Sequence, residues 1–200
     1  MIRLLLLALV AGVAVYVVLR WRRERREDAL LRVRGAFLAA PSDRPGPPRE
    51  PPPMRPVTLA DGRLRFHVPR AWDEERSTGG GFEARASSSR RLRVELKTLP
   101  RRGPGVALAD ALRESPAGRQ GVVEVLAGDR VLLKHVRSEP GEDGHDVTYC
   151  WELATPQPPG GALVAEFAFR VCARAIDAIT EDDVRLLERE IREATFSDPP

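Results

Sequence analysis

The sequence predicts an α+β protein in which an N-terminal transmembrane helix precedes a mostly antiparallel β-sheet packed with a few helices, the last at the C-terminus. Three observations predict this class. Residues 4–19 form an uncharged, apolar run. Between residues 64 and 171, several stretches alternate apolar with polar residues, as half-buried strands do. Residues 180–194 repeat apolar positions at helical spacing behind a capping signal.

The first twenty residues are interpreted as a membrane anchor, domain 1–20. As a helix, the run 4–19 would span about 24 Å, and flanking arginines can extend it toward the roughly 30 Å of a hydrocarbon core. A cleaved signal peptide is the alternative, but the run ends directly in arginines and no small-x-small cleavage site precedes them. The predicted membrane-interface residues are Arg20, Trp21, Arg22, Arg23, Arg25 and Arg26.

The arginines also predict an orientation. Only Arg3 precedes the run, whereas five arginines follow it within residues 20–26. The positive-inside rule therefore predicts a single-pass inner-membrane protein with its N-terminus outside and its domain in the cytoplasm. A periplasmic domain is the alternative. In that compartment Cys150 and Cys172, on strands predicted to be neighbours, could form a disulfide, whereas two cysteines alone suit a reducing environment.

Two segments connect the anchor to the domain. Residues 21–40 are predicted to form a juxtamembrane helix with an apolar stripe of Leu30, Val33 and Phe37. That stripe could pack on its own domain, lie at the membrane surface or form a weak homodimer, so the chain is expected to be a monomer or a weak dimer. Residues 41–56 contain eight prolines and are predicted to be a semi-rigid spacer, with a ligand for a proline-reading domain as the alternative.

Charge is divided unevenly along the chain. The formal net charge is +3, but residues 1–56 carry eleven arginines against five acidic residues, so the remainder is slightly acidic. This distribution argues against nucleic acid as a partner of the domain. The N-terminal arginines instead fit anionic lipid headgroups, which makes the lipid bilayer the expected partner of that segment.

Residues 57–200 are predicted to form the domain. Asp61 and Gly62 signal a hairpin, followed by a strand with Leu64, Phe66 and Val68 on its buried face. Residues 138–146 are predicted to be a loop, and Thr180 to cap the last helix. Further strands are predicted at 82–86, 92–97, 122–126, 131–137, 147–153 and 163–172, and a short helix at 106–114 with Ala107, Leu108, Ala111 and Leu112 inward.

One face of the predicted sheet is polar and mixed in charge. It is expected to be either solvated or partly covered by the helix at 106–114. Its members are Arg65, His67, Arg93, Glu95, Glu152, Glu166 and Arg170.

The order of several short motifs resembles that of PsbP-like domains. RLRFHVPRAW at 63–72 is followed by LRVELK, YCWELA, FAFRV and the closing ITEDDVRLLEREIREATF. The superfamily includes nuclear-import Ran-binding factors and bacterial membrane-attached proteins. The resemblance covers about residues 57–197 and implies an antiparallel sheet sandwiched between helices. It carries over no catalytic residue and implies a binding or assembly module; the chain departs from the secreted-lipoprotein pattern usual for bacterial members.

Few residues suggest chemistry, and no catalytic or cofactor-binding residue and no cofactor is predicted. A weak candidate metal site lies at 142–146, although such acidic, glycine-flanked segments are typical of hairpin loops. A second candidate is a cleft beside Trp72, whose mobile edge would be a glycine run lacking the Lys-Ser/Thr of a phosphate loop. The metal candidates are Glu142, Asp143, His145 and Asp146, and the cleft candidates are Trp72, Gly79, Gly80 and Gly81.

Together these patterns favour a membrane-tethered binding or assembly module, with a protein partner, over an enzyme. One alternative is a domain that binds a small ligand near Trp72. The other is a hydrolase-type enzyme that uses residues 142–146.

Overall fold

The computed structural model describes residues 34–38, 51–60, 62–75, 81–99, 107–141, 144–157 and 161–197. The chain divides into one unit up to Ala39 and a second from Ala40 to Pro200. In the first unit, residues 34–38 are helical, which agrees with part of the helix predicted at 21–40. The predicted anchor 1–20 and the interface arginines at 20–26 lie outside the described residues, so the compartment inferred from them stays a prediction.

Judged on the residues that the structure describes, the predicted fold class is wrong in including a transmembrane helix. Within the described ranges, no helix is both long and apolar enough to cross a membrane. The longest, Ala178–Glu193, has charged residues between its apolar positions, so only one stripe of it can be buried. The described chain is instead mostly antiparallel β-sheet.

The second unit is built from strands and two α-helices in its described part. Every strand pair is antiparallel, in one sheet of order β3-β4-β5-β9-β8-β7-β6 and one of order β1-β2-β10. The strands are β1 (Met54–Leu59), β2 (Leu64–Pro69), β3 (Asp73–Glu75), β4 (Phe82–Ser87), β5 (Arg90–Leu99), β6 (Val122–Val125), β7 (Val131–Gly141), β8 (Gly144–Gln157), β9 (Gly161–Cys172) and β10 (Thr195–Phe196). The helices are α1 (Leu108–Glu114) and α2 (Ala178–Glu193).

The first hairpin forms where it was predicted, but its first strand begins earlier. Strands β1 and β2 pair across a turn in which Gly62 has a φ of 94°, a conformation that glycine adopts without strain. Strand β1 begins at Met54, inside the predicted spacer 41–56. Pro56 is tolerated there because β1 is an edge strand and pairs only with β2.

The predicted loop at 138–146 is largely a hairpin. Strands β7 and β8 continue their pairing from Ser138 opposite Val147 to Gly141 opposite Gly144. The segment is polar on both sides, so it lacks the apolar alternation that indicates a half-buried strand. Its backbone hydrogen bonds nevertheless extend the ladder, because pairing does not depend on side-chain polarity.

One face of the seven-stranded sheet carries the core. Phe167, Phe169 and Trp151 are fully buried there. The three-stranded sheet packs on this face through Phe66, whose ring makes edge contacts with Phe82 at 5.6 Å and Phe167 at 5.2 Å between centroids. Helix α2 contacts β2 and β8 and buries an apolar stripe of Val184, Leu187 and Ile191, as predicted.

Helix α2 begins before its predicted cap. Asp177 is the N-cap residue, and its carboxylate accepts a hydrogen bond from the Thr180 backbone N–H at 2.8 Å. Thr180 lies inside the first turn, where its buried hydroxyl donates to the Ala175 carbonyl oxygen at 3.0 Å. Asp177, three residues before the predicted cap, occupies the N-cap position, where aspartate is among the preferred residues.

The opposite face of the large sheet is divided between α1 and solvent. Ala109 and Leu112 of α1 pack on Val131, Ala154 and Val164 and close one end of the face. The helix begins at Leu108, and the predicted inward position of Ala107 is wrong because this residue is exposed. The other end of the same face is open and charged.

A charged sheet face as the candidate site

The open end of the sheet forms a shallow recess of about 520 Å³, here called the charged face. It is lined mainly by side chains that point away from the core. Five acidic and five basic residues take part: Glu75, Glu83, Glu95, Glu139, Glu166, Arg91, Arg93, Lys97, Arg137 and Arg170. The mixed polar face predicted from sequence is therefore both covered, at the α1 end, and solvated, at this end.

Glu166 on β9 lies near the middle of the charged face. Its carboxylate accepts hydrogen bonds from Lys97 of β5 and, at 3.0 Å, from Arg137 of β7. Partial burial opposes ionisation of Glu166, but these two cations outweigh it and lower the pKa of the carboxyl group. The pKa of Lys97 is raised, chiefly by its hydrogen bond to Glu166.

The ion pairs continue from Glu166 toward β4. The register places Glu95 directly opposite Glu166, and Lys97 lies within ion-pair distance of both carboxylates, 3.6 Å from Glu95. Arg93 then pairs with Glu95 and with Glu83, the latter at 3.6 Å. The result is an alternating chain of charges across the sheet: Glu83, Arg93, Glu95, Lys97, Glu166 and Arg137.

A buried thiol lies beneath Arg137, the last residue of this alternating series of charges. The Nε–H of Arg137 donates to Sγ of Cys150 at 3.3 Å. Burial raises the pKa of the Cys150 thiol to about 11, against the opposing effect of Arg137. The Cys150 thiol is therefore expected to be unreactive.

The two cysteines lie on neighbouring strands, as predicted, but too far apart to pair. Cys150 is opposite Ala168, whereas Cys172 is opposite Asp146, four positions along β8. At about 3.3 Å per residue this separates the two Cα atoms by roughly 13 Å, and a disulfide requires less than about 7 Å. Both cysteines are free thiols.

The histidines occupy separate places. His67, together with Arg65, belongs to the three-stranded sheet and not to the polar face of the large sheet on which it was predicted. His67 approaches Glu190 of α2 at 3.5 Å. His135 is buried on β7 and lies 3.3 Å from Glu152. Separate sheets and registers keep these imidazoles apart.

The candidate metal residues divide between described and undescribed positions. Glu142 and Asp143 lie outside the described residues. Asp146 is buried and accepts a hydrogen bond from Arg170 Nε at 2.6 Å, and His145 is partly exposed. Across the described ranges no three His, Cys, Asp or Glu residues gather in a metal-binding group.

The candidate cleft residues do not share one recess. Trp72 is 7% exposed, and its ring stacks on Phe169 with 5.7 Å between centroids and 7° between planes. Gly81 lines a different recess of about 430 Å³, beside Arg55 and Glu74, and Trp72 is not among the described residues around it. Gly79 and Gly80 lie outside the described residues. Stacking in the core buries the indole of Trp72, which a cleft would have exposed.

A further recess was not predicted from sequence. It has a volume of about 440 Å³, adjoins the charged face and is here called the arginine recess. Its lining residues are Ser88, Ser89, Arg91, Asp146, Arg170, Cys172, Arg174 and Ala175. They come from the β4–β5 turn, β5, the start of β8, the end of β9 and the 3-10 turn Ala173–Ala175 that follows it, so strand register and this turn bring them together.

Comparisons with known proteins concern the fold. No family model and no curated protein matches the sequence. The chain is similar to a crystal structure from Bacteroides thetaiotaomicron VPI-5482, with a TM-score of 0.50 and 14% sequence identity, over 72% of this chain and 48% of that one. The chain thus spans about half the length of that structure. Because the identity is so low, the likeness shows the fold alone, and the PsbP-like resemblance stays a prediction.

Proposed function

We propose that the domain is a binding module and that its charged face docks a protein partner. The observation that carries the proposal is the alternating chain from Glu83 to Arg137, which lies open at one end of a sheet face whose other end α1 covers. Neighbouring strands lie about 4.8 Å apart and alternate residues along one strand about 6.6 Å apart, so the backbone holds these charges at fixed spacings. Such a surface presents a partner with an ordered pattern instead of mobile single charges.

The balance of charge favours a protein as the occupant. A nucleic-acid surface needs a large basic excess to contact phosphates, whereas the charged face has five acidic and five basic residues. A pocket for a drug-sized molecule is usually concave and mainly apolar, whereas this recess is shallow and polar. A protein surface with complementary acidic and basic side chains fits the pattern best.

The energetics also suit docking. Exposed ion pairs contribute only about 0–1 kcal/mol each to folding, so exchanging them for pairs with a partner costs little. Complementary charges increase the rate of association and select the correct partner more than they increase raw affinity. The expected partner therefore binds in a salt-dependent manner.

Photocrosslinking tests the proposal in cells that express the full chain. The photoreactive residue p-benzoylphenylalanine replaces Ala168, which lies among the charges on β9, and in a matched control it replaces Arg185, an exposed residue of α2. We expect one reproducible protein adduct from position 168 and not from position 185. Equal adducts from both positions, or none from position 168, would contradict docking at this face.

A further inference from the structure

Four arginines lie in one row across the strands, next to the arginine recess. The register places Arg85 opposite Arg91, Arg91 opposite Arg170, and Thr148 between Arg170 and Arg137. Side chains directly opposite each other have Cβ atoms about 5 Å apart, and like charges at that distance destabilise a sheet. Such a row of like charges lowers the stability of the fold unless opposite charges neutralise it.

Carboxylates compensate three of the four arginines. Arg85 pairs with Glu75, Arg170 with Asp146 and Arg137 with Glu166. Arg91 stands between Arg85 and Arg170 and forms no ion pair with any residue that the structure describes. Its side chain is exposed and faces both recesses. The row is therefore left with a positive charge where repulsion is greatest.

The arginine recess gathers a second uncompensated cation. Arg174, in the 3-10 turn that follows β9, also lacks an ion pair within the described ranges and lines the recess with Arg91 and Arg170. Asp146 is the one carboxylate among the described lining residues, so about two positive charges remain in excess. The hydroxyl-bearing Ser88 and Ser89 also line the recess and can donate hydrogen bonds.

We propose that the arginine recess binds the phosphoryl group of a small ligand. A phosphoryl group carries a charge near −2 at neutral pH, which matches the excess in the recess. Guanidinium groups bind such oxyanions through paired, charge-assisted hydrogen bonds. The bound anion would remove the repulsion in the arginine row. This site does not require the protein partner proposed above.

Calorimetric titration of the full chain with inorganic phosphate tests the site, at an ionic strength held constant with sodium chloride. We expect saturable binding by the native chain. Arg91→Gln and Arg174→Gln should each weaken it roughly tenfold or more, since each removes charged hydrogen bonds to the anion. Arg185→Gln, which removes an exposed arginine from α2, is the matched control and should bind like the native chain.

A thermal measurement without phosphate separates this site from a loss of folding. Arg91→Gln should then unfold at the native temperature or about 1–3 °C higher, because it relieves the repulsion in the row. Unchanged phosphate affinity in both Arg91→Gln and Arg174→Gln would overturn the proposal, as would heat exchange equal to that with chloride alone.

Two phosphoryl probes distinguish the source of the group. Comparable binding of inorganic phosphate and O-phosphoserine supports a site for the phosphoryl group itself, and tighter binding of O-phosphoserine supports a larger phosphorylated ligand. Failure of both probes overturns the proposal. Crosslinking from position 168 is measured separately from phosphate binding, so a negative result for one proposal leaves the other standing.

Discussion

At the scale of single residues, burial assigns different reactivities to the two cysteines. Cys150 is fully buried with its pKa raised to about 11, whereas Cys172 is partly exposed beside the arginine recess. Reaction with alkylating reagents requires both access and the thiolate. The two thiols should therefore respond differently although they lie on adjacent strands.

Alkylation of the folded chain with iodoacetamide near neutral pH should modify Cys172 and leave Cys150 unmodified. Both cysteines should react once the chain is unfolded in urea. Mass spectrometry of the peptides measures the two sites separately. Equal labelling of both residues in the folded chain would contradict the burial of Cys150, and a Cys150–Cys172 disulfide would contradict the strand register.

The carboxyl group of Glu166 predicts how stability depends on pH. Its pKa in the folded state lies below the ordinary value of 4.5, so its contribution is present above that pH and is lost as the pH falls through the lowered pKa. Between about pH 6 and pH 3, Glu166→Gln should lose less free energy of unfolding than the native chain. Urea denaturation at several pH values measures this. Parallel losses in the two proteins would show that Glu166 is not stabilised by Lys97 and Arg137.

At the scale of elements, α2 is held by its apolar stripe. Leu187 is 1% exposed between the helix and the sheets. Leu187→Ala should lower the free energy of unfolding by about 2–5 kcal/mol, from lost burial and the cavity left behind. Arg185→Ala, on the exposed side of the same helix, should change it by less than about 0.5 kcal/mol. Similar losses in both variants, measured by chemical denaturation, would mean that this face of α2 is not packed.

Alternation and helical spacing predict the elements that bury one face. Leu64, Phe66 and Val68 lie on a strand, and Val184, Leu187 and Ile191 on a helix, as these patterns indicate. Elements without such a signal were missed. The polar ends of β7 and β8 were predicted to be a loop, because nothing apolar marks strands that extend into solvent.

The candidate site depends on register, which single-strand patterns do not specify. Arg93, Glu95 and Arg170 were predicted to lie on the polar face of the sheet. To predict which charges lie opposite each other, one must know how β5 pairs with β9, and these strands are more than 60 residues apart in the chain. The arginine recess was missed for this reason. The sequence suggests a cleft beside Trp72, whereas the ring stacks on Phe169. This stacking is a long-range contact, which local sequence patterns do not indicate.

At the scale of the whole molecule, the two faces of the large sheet use charge differently. On the core face, Lys134 is fully buried and lies 3.0 Å from Glu188 of α2 and 3.3 Å from Glu124 of β6. Arg192 of α2 pairs with both of these glutamates. These internal charges join the helix to the edge of the sheet. On the opposite face, the charges lie open to solvent, where a partner can reach them.

We propose above that the open, charged end of the sheet docks a protein. The most direct measurement is the yield of the position-168 crosslink in cells, compared between the otherwise native chain and charge-reversed variants. Lys97→Glu breaks the alternating chain at its middle, and Arg185→Glu makes the same change of charge on α2. We expect Lys97→Glu to abolish the adduct and Arg185→Glu to preserve it. An adduct that survives Lys97→Glu unchanged would contradict the claim.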